Sequence, residues 1–452
     1  MKNKIFIVHC IDTEGPLHEP LSATFQRIYE IYGIKLDPTK ENLVKIQNKK
    51  INLHALTNES SLNSDGIESA VAKSFSKHLL RTNDTWDKVD LMLDKIMSKQ
   101  YRDQYLDSNG RGIIYNWHCM DHAGFVTNER RRDIGFGNIF KHYKAKNEEH
   151  GSLDSIHWHF HPLSFNKEGH IPSTSYDNSY QILHDILCRR LIDDEWFPIV
   201  NRAGFHAIRQ DSSFFLEQWI PFDYSNQAKF NDEDEQPDGN RFGDWRRAPK
   251  EWRPYHPSYD DYQVPGNMNR FTTKCLNIGT REKLIDDFEI EMAFKDSIKK
   301  GSAILSFTNH DWRDMAVDID NIYSSIKRIS KQYPDVSIIN SDAVTAMQSV
   351  VYSEQSIENN KIRLTSEITH ENTFDKLEVN CINGEVFGSQ PYLSIKTKDG
   401  RYYHDNFGEK YAGKTWEYIF DRATMDLSAV DKITIAANDK YGNQSVISTT
   451  IN

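Results

Sequence analysis

Near residue 355 the hydrophobic pattern of the chain changes its period, and this limits the fold more than any motif does. Upstream, short apolar runs alternate with longer stretches at helical spacing. The runs "KIFIVHCI" (4–11), "GIIYNWHC" (112–119), "DSIHWHF" (154–160), "FPIVNRAG" (197–204), "SAILSFTNHDW" (302–312) and "DVSIIN" (335–340) read as buried strands. Helical spacing covers 21–33, 84–98, about 178–194, 281–300 and 318–332, with Asp84 a fitting N-cap and Gly301 a fitting C-terminal stop. This alternation predicts an α/β fold with a parallel sheet, open or closed into a barrel. Downstream, "KIRLTSEI", "KLEVNCI", "YLSIKT", "WEYIFD", "KITIAA" and "SVISTTI" are short strands divided by turns such as "KDGR" and "KYGN". They predict a small all-β sandwich. The division is then 1–352 for the α/β domain and 356–452 for the β module.

Composition supports folded domains and removes some functions. With 452 residues, 38% hydrophobic and 12% aromatic, the chain has material for two cores. A net charge of −11, with no long basic run, gives no support for a nucleic-acid partner. The five cysteines (Cys10, Cys119, Cys188, Cys275, Cys381) are scattered and form no CxxC. That pattern suits free buried thiols better than a disulfide framework or a cysteine zinc site. The N-terminal apolar run is too short for a signal-peptide core or a membrane span, so a cytoplasmic protein is expected.

Polar residues gather where the predicted strands end, which is where α/β barrels and open sheets build their sites. "HWHFH" places His157, His159 and His161 at alternate positions. On an extended strand all three share a face; neighbours two apart lie roughly 6–7 Å apart and can chelate one ion, whereas 157 and 161 are too far apart. If the chain turns helically at 157, the geometry inverts: His157 and His161 pair, and His159 points away. "DTEG" adds Asp12 and Glu14, two carboxylates that can face one cavity and divide the work, although this is also ordinary turn chemistry. Arg202 ends a later strand and can hold a carboxylate ionised. His310, in "FTNHDW", can serve as a general acid. His118 and His122 either line the cleft or are structural.

The order of these features resembles that of the NodB-type polysaccharide deacetylases (carbohydrate esterase family 4). "DTE" is similar to the family's first motif, "HWHFHP" to its H-[ST]-x-x-H-P motif with Trp158 in place of Ser or Thr, and "RAGFH" to its arginine motif in altered form. The resemblance covers roughly residues 4–350. It implies a distorted (β/α) barrel of about seven strands with insertions near 20–105 and 231–266. It implies Asp12 as catalytic base, Arg202 as the residue orienting it and His310 as general acid. It implies a divalent metal, zinc the expected ion, on Glu14, His157 and His161. Asp223, in "PFDYSN", is a weak match for the fourth motif's acid. The implied reaction is removal of an N-acyl group from a sugar, on a nucleotide- or lipid-linked intermediate of surface-glycan assembly. A glycan-binding protein without turnover, or a hydrolase of a formamido or carboxamide group, are the competing expectations.

The aperiodic stretch 231–266 is rich in aromatic residues and arginine. We expect a loop over the cleft, with Trp245 and Trp252 stacking on sugar rings and Arg246, Arg247 and Arg253 pairing with phosphates; Trp312, in "FTNHDW", is a further candidate substrate contact. The β module is read as a carbohydrate-binding unit or an oligomerisation surface.

Overall fold

A computed structural model describes residues 3–56, 64–168, 175–231, 243–280 and 283–451. Among these, parallel strands form one nearly closed barrel: β1 (Asn3–Thr13), β2 (Tyr115–Cys119), β3 (Ser155–Phe160), β4 (Val200–Ala203), β5 (Phe222–Asn226), β6 (Phe271–Lys274), β7 (Leu276–Asn277), β8 (Ser302–His310) and β9 (Val336–Asn340). Their order is β6-β5-β4-β3-β2-β1-β8-β7, with β9 alongside β1. The sequence implied about seven strands, and the sheet has nine. Two structural facts account for the difference. β6 and β7 are halves of one stave, broken at Cys275, that joins β5 to β8. β9 shares one side of β1 with β2: it pairs with Asn3–Ile7, and β2 with His9–Thr13.

The helices are α1 (Leu21–Tyr32), α2 (Lys40–Gln47), α3 (Ser64–Ser74), α4 (Trp86–Met97), α5 (Lys99–Arg102), α6 (Asn138–Glu149), α7 (Tyr180–Asp194), α8 (Gln210–Trp219), α9 (Asp287–Lys300), α10 (Ala316–Ser330), α11 (Ala343–Val351) and α12 (Glu354–Asn359). Thr85 rather than Asp84 caps α4, accepting from the Lys88 amide. Gly301 ends α9 in the left-handed region, at φ 85°. The inserted stretch after β1 divides in two. α1–α3 enclose a core of their own around Phe25, Ile28, Ile46, Val71 and Phe75, whereas α4 packs Val89, Leu93 and Ile96 onto the barrel. Residues 57–63 of that stretch lie outside the described residues.

Strand pleat decides what the barrel encloses. On β1, Phe6, Val8, Cys10 and Asp12 point inward, while Ile5, Ile7 and Ile11 pack outward on helices. α11 closes the end of the barrel away from Asp12: Ala343, Ala346 and Met347 pack against Phe6, Val8 and Cys10, and Tyr224 Oη donates to the Ala343 carbonyl at 2.7 Å. Only the mouth at the strands' C-terminal ends is left.

The β module is a sandwich of two four-stranded antiparallel sheets built from β10 (Arg363–His370), β11 (Asp375–Asn383), β12 (Tyr392–Thr397), β13 (Tyr402–Asp405), β14 (Gly408–Tyr411), β15 (Thr415–Phe420), β16 (Val430–Asn438) and β17 (Gln444–Thr450). Six of these were expected. β13 and β14 are short and largely exposed, so they carry no apolar alternation to read. The module docks on α7 and α8. Tyr392 is fully buried there and bonds His184 Nδ1 at 2.7 Å, and Asn438 donates to the carbonyls of Pro198 and Trp219. Gly388 lies where a Cβ would meet the Gln218 carbonyl at 1.9 Å. Among the described residues no helix is long and apolar enough to cross a membrane. All five cysteines are free and buried.

Candidate metal centre

Parallel register brings the polar strand ends together. Asp12 lies level with His118 on β2 and His310 on β8, His118 with His157 on β3, and His159 with Arg202 on β4. Paired residues share a face, so all of these side chains enter the barrel. β3 stays extended through Phe160, however, and this changes the expected ligand set. His157 lies one pleat below His159, deeper in the barrel. There it donates to Asn116 Oδ1 at 3.1 Å, the same oxygen that accepts the Ala343 amide, and its ring lies 5.0 Å from that of His118. His159 and His161 are the pair that meets Glu14: one ligand atom from each of the three lies within 4.8 Å of the others. Glu14, His157 and His161 are therefore not brought together as expected, because no helical turn begins at 157. The extended alternative, with two histidines two residues apart, is the one the backbone adopts.

The set fits a divalent ion. His159 Nδ1 donates to the Arg202 carbonyl at 2.8 Å, which leaves Nε2 as a bare acceptor, the second-sphere arrangement typical of metal-bound histidine. His161 Nε2 lies 2.9 Å from that nitrogen and 3.5 Å from Glu14 Oε1. Without an ion the His161 N–H must fill the gap, and a cation can take that proton's place. Two imidazole nitrogens and one carboxylate suit zinc or a similar borderline ion. Burial pushes the His161 ring down to about 3, so it presents a neutral nitrogen.

Each carboxylate has its own arginine. Arg202, fully buried, donates from Nε to Asp12 Oδ1 at 2.7 Å. Burial alone would push the Asp12 carboxyl up; Arg202 and the nearby histidines overcome this and hold it well below the usual range. Arg132, from the loop after β2, meets Glu14 Oε2 at 2.5 Å. Together with the neighbouring histidines it overcomes burial and keeps Glu14 ionised. His310 Nε2 lies 3.7 Å from Asp12 Oδ2 and 3.8 Å from Glu14 Oε1, and burial pushes its ring down to about 4.

The sequence reading assigned no specific role to several supporting residues. Asp311 accepts the amides of Glu14 and Gly15 at 2.9 and 2.8 Å and the Tyr143 hydroxyl at 2.8 Å, fixing the loop that carries Glu14. His122, left open by the sequence, donates to the Glu14 carbonyl at 3.2 Å. His206 accepts from Arg202 at 2.7 Å. The altered motif "RAGFH" has a steric reason. A Cβ on Gly204 would meet the His161 ring at 2.4 Å and the Phe160 carbonyl at 2.7 Å. Phe205 and His206 follow at φ 54° and 53°, a strained turn of the kind found at functional sites.

Other expected residues lie elsewhere. Asp223 is on the outward pleat of β5, bonded to Asn201 and Ser225 and 3.7 Å from Arg270, so it does not face the mouth. Trp252 is fully buried in the core between barrel and helices, and its amide bonds Asp296. Trp245 is also buried; its indole N–H holds the His206 carbonyl at 2.8 Å and so braces the turn under Arg202. Arg246 pairs with Asp244 and Arg247 with Asp261. Arg253 bonds the carbonyls of Ser302 and Val350, at the closed end of the barrel. The stretch after Gly243 therefore runs down the barrel's flank rather than over a cleft, because its aromatic rings bury against the barrel; residues 232–242 lie outside the described residues. Trp312 does stay beside the site, its ring 5.1 Å from that of His310.

No protein-family model matches the chain, and neither does any curated protein.

Proposed function

We propose that the chain is a metal-dependent hydrolase that removes the acyl group from an N-acylated amino sugar. One juxtaposition carries this reading: a two-imidazole, one-carboxylate metal set beside a second carboxylate, Asp12, held ionised by a buried arginine. Glu14, His159 and His161 would hold the ion. A divalent ion bound there polarises an acyl carbonyl and acidifies a coordinated water. Asp12, ionised and facing the same space, would take up a proton from the attacking water. Arg202 occupies its Oδ1, and its Oδ2 faces His310, which delivers a proton to the leaving nitrogen. Burial keeps His310 neutral beforehand, so the proton it delivers is the one Asp12 takes up, passed from Oδ2 to the facing Nε2, and Asp12 returns to its ionised state. The sugar substrate and zinc as the ion draw on the motif order, which resembles that of NodB-type deacetylases.

The test begins with calorimetric titration of metal-depleted protein with Zn²⁺, followed by assays for acetate and free amine on N-acetylated sugars. One ion per chain is expected, with amine release that Asp12→Asn lowers by roughly 10²–10⁴-fold. A chain that binds no divalent ion sinks the reading. Formate released from formamido sugars, with no acetate from acetamido sugars, moves the reaction to the smaller acyl group.

A further inference from the structure

Three arginines crowd one side of the barrel mouth. Arg27 belongs to α1, and Arg130 and Arg132 to the loop after β2; their side chains are only 15%, 13% and 17% exposed. Arg27 Nη2 and Arg130 Nε meet the same oxygen, Glu19 Oε2, at 3.3 and 3.2 Å. Arg132 Nη1 meets Glu14 Oε2, so the cluster adjoins the proposed metal set. The loop holds these side chains in place. Asn128 closes a turn over 128–132: its side-chain oxygen takes the Arg132 amide, and its side-chain nitrogen gives to the Arg132 carbonyl, both at 2.8 Å. Arg131, at the corner, has φ 49°, a strained value for a residue with a side chain. The Arg130 carbonyl takes the His18 amide at 2.9 Å, which ties this turn to the segment that carries Glu14.

These contacts do not balance the charge. Three guanidinium groups share two carboxylates, and a divalent ion on Glu14 would claim one of the two. Glu129, nearby on the loop, and Glu30, held by Gln26, are exposed, where solvent screens them. Burial and the neighbouring Arg27 push the Arg130 guanidinium down to about 10, against the pull of Glu19. Half-buried like charges cost free energy unless an anion meets them. Arg130 and Arg132 line one cleft, together with Thr127, Asn128 and Gln26. Its volume is about 30 Å³, roughly that of two waters, so it takes one small charged group and no sugar ring. The bond to Glu19 uses Arg130 Nε and leaves the Nη1–Nη2 end for another acceptor. That end is a planar pair of N–H donors, which matches two oxygens of a carboxylate or a phosphate.

We propose that Arg130 and Arg132 form an oxyanion subsite beside the metal centre, so that the molecule in the mouth carries a carboxylate or a phosphate. The charge lies close to the group that meets the ion, because Arg132 touches both the cleft and a metal ligand. That the molecule is an N-acylated amino sugar rests on the hydrolase reading; the preference for an anion does not.

The experiment titrates the full-length protein, with and without Zn²⁺, with N-acetylglucosamine and N-acetylgalactosamine, their 1-phosphates and the corresponding uronic acids. At least one anionic sugar is expected to bind about tenfold more tightly than its neutral parent, and which one it is separates phosphate from carboxylate. Arg130→Gln should remove most of that preference and leave binding of the neutral sugar unchanged. Arg130→Lys keeps a charge for Glu19 without the planar fork. It should lose about threefold of the preference, and it decides the matter if the glutamine variant does not fold. No preference for any anionic sugar overturns the subsite. A preference that both variants keep overturns it too, because the anion is then received elsewhere. A preference lost in Arg130→Gln, without amine release from any acylated sugar, leaves the subsite standing and removes the hydrolase. Amine release without the preference does the reverse.

Discussion

A single pleat separates His157 from His159, and it divides two roles. His159 directs a bare nitrogen at Glu14's side of the mouth, whereas His157 spends its N–H on Asn116 inside the barrel. His159→Ala should therefore weaken Zn²⁺ binding by more than about 100-fold, beyond the range for a second-sphere residue. His157→Ala should hold affinity within about tenfold and lower the thermal midpoint, because it leaves the buried Asn116 with one partner fewer. Calorimetric titration of both variants decides the assignment; equal losses would remove it. The carboxylate pair, Arg202 and His310 were legible because each ends an apolar run. The choice among three histidines was not, because it depends on how far one strand stays extended. Arg132 and His206 left no local signal, and Asp311, visible beside His310 in "FTNHDW", gave none of its role, since each acts on a residue that is distant in sequence or across a strained turn.

At the level of the element, the same alternation explains where the sequence reading went astray on β5. Asp223 is the second residue of β5 and lies on its outward pleat, facing Arg270 beneath α8, whereas Arg202 lies near the end of β4 and points inward. Its carboxylate is the nearest counter-charge of a fully buried guanidinium. Asp223→Asn should leave Zn²⁺ affinity unchanged and lower folding stability by about 3 kcal/mol, the cost of leaving a buried charge unpaired. Urea unfolding beside a metal titration tests both halves. Strands and helices were legible from their periods, and so was Gly301 as a helix stop. The course of 243–266 was not, because aromatic residues without a period serve equally as sugar platforms or as mortar. Trp252, under the Lys274 ammonium at 4.4 Å, is mortar.

Across the whole molecule, the number of buried neutral histidines sets the response to acid. Burial pushes His9, His157, His310 and His404 down to about 4, and His161 and His184 to about 3. Between pH 6.5 and 4 the unfolded chain takes up protons on these rings and the folded chain does not. Folding stability therefore falls as pH drops through that window. Buried carboxyls pushed upward act in the opposite sense, Asp311 to about 7 among them, while His118, His122 and His206, which burial also pushes down, add to the imidazoles. Metal-free protein should lose its tertiary fluorescence signal with a midpoint between pH 6 and 4, and bound Zn²⁺ should move that midpoint lower. A midpoint below pH 3 would count against the buried neutral rings.

The plug formed by α11 has a consequence for traffic. With Ala343, Ala346 and Met347 filling the far end, the barrel is a cul-de-sac. Whatever enters past His161 and His310 has to back out the same way. Under the proposed hydrolysis, water, substrate and both products would share one doorway, and the bulkiest of them would govern the order in which the others leave.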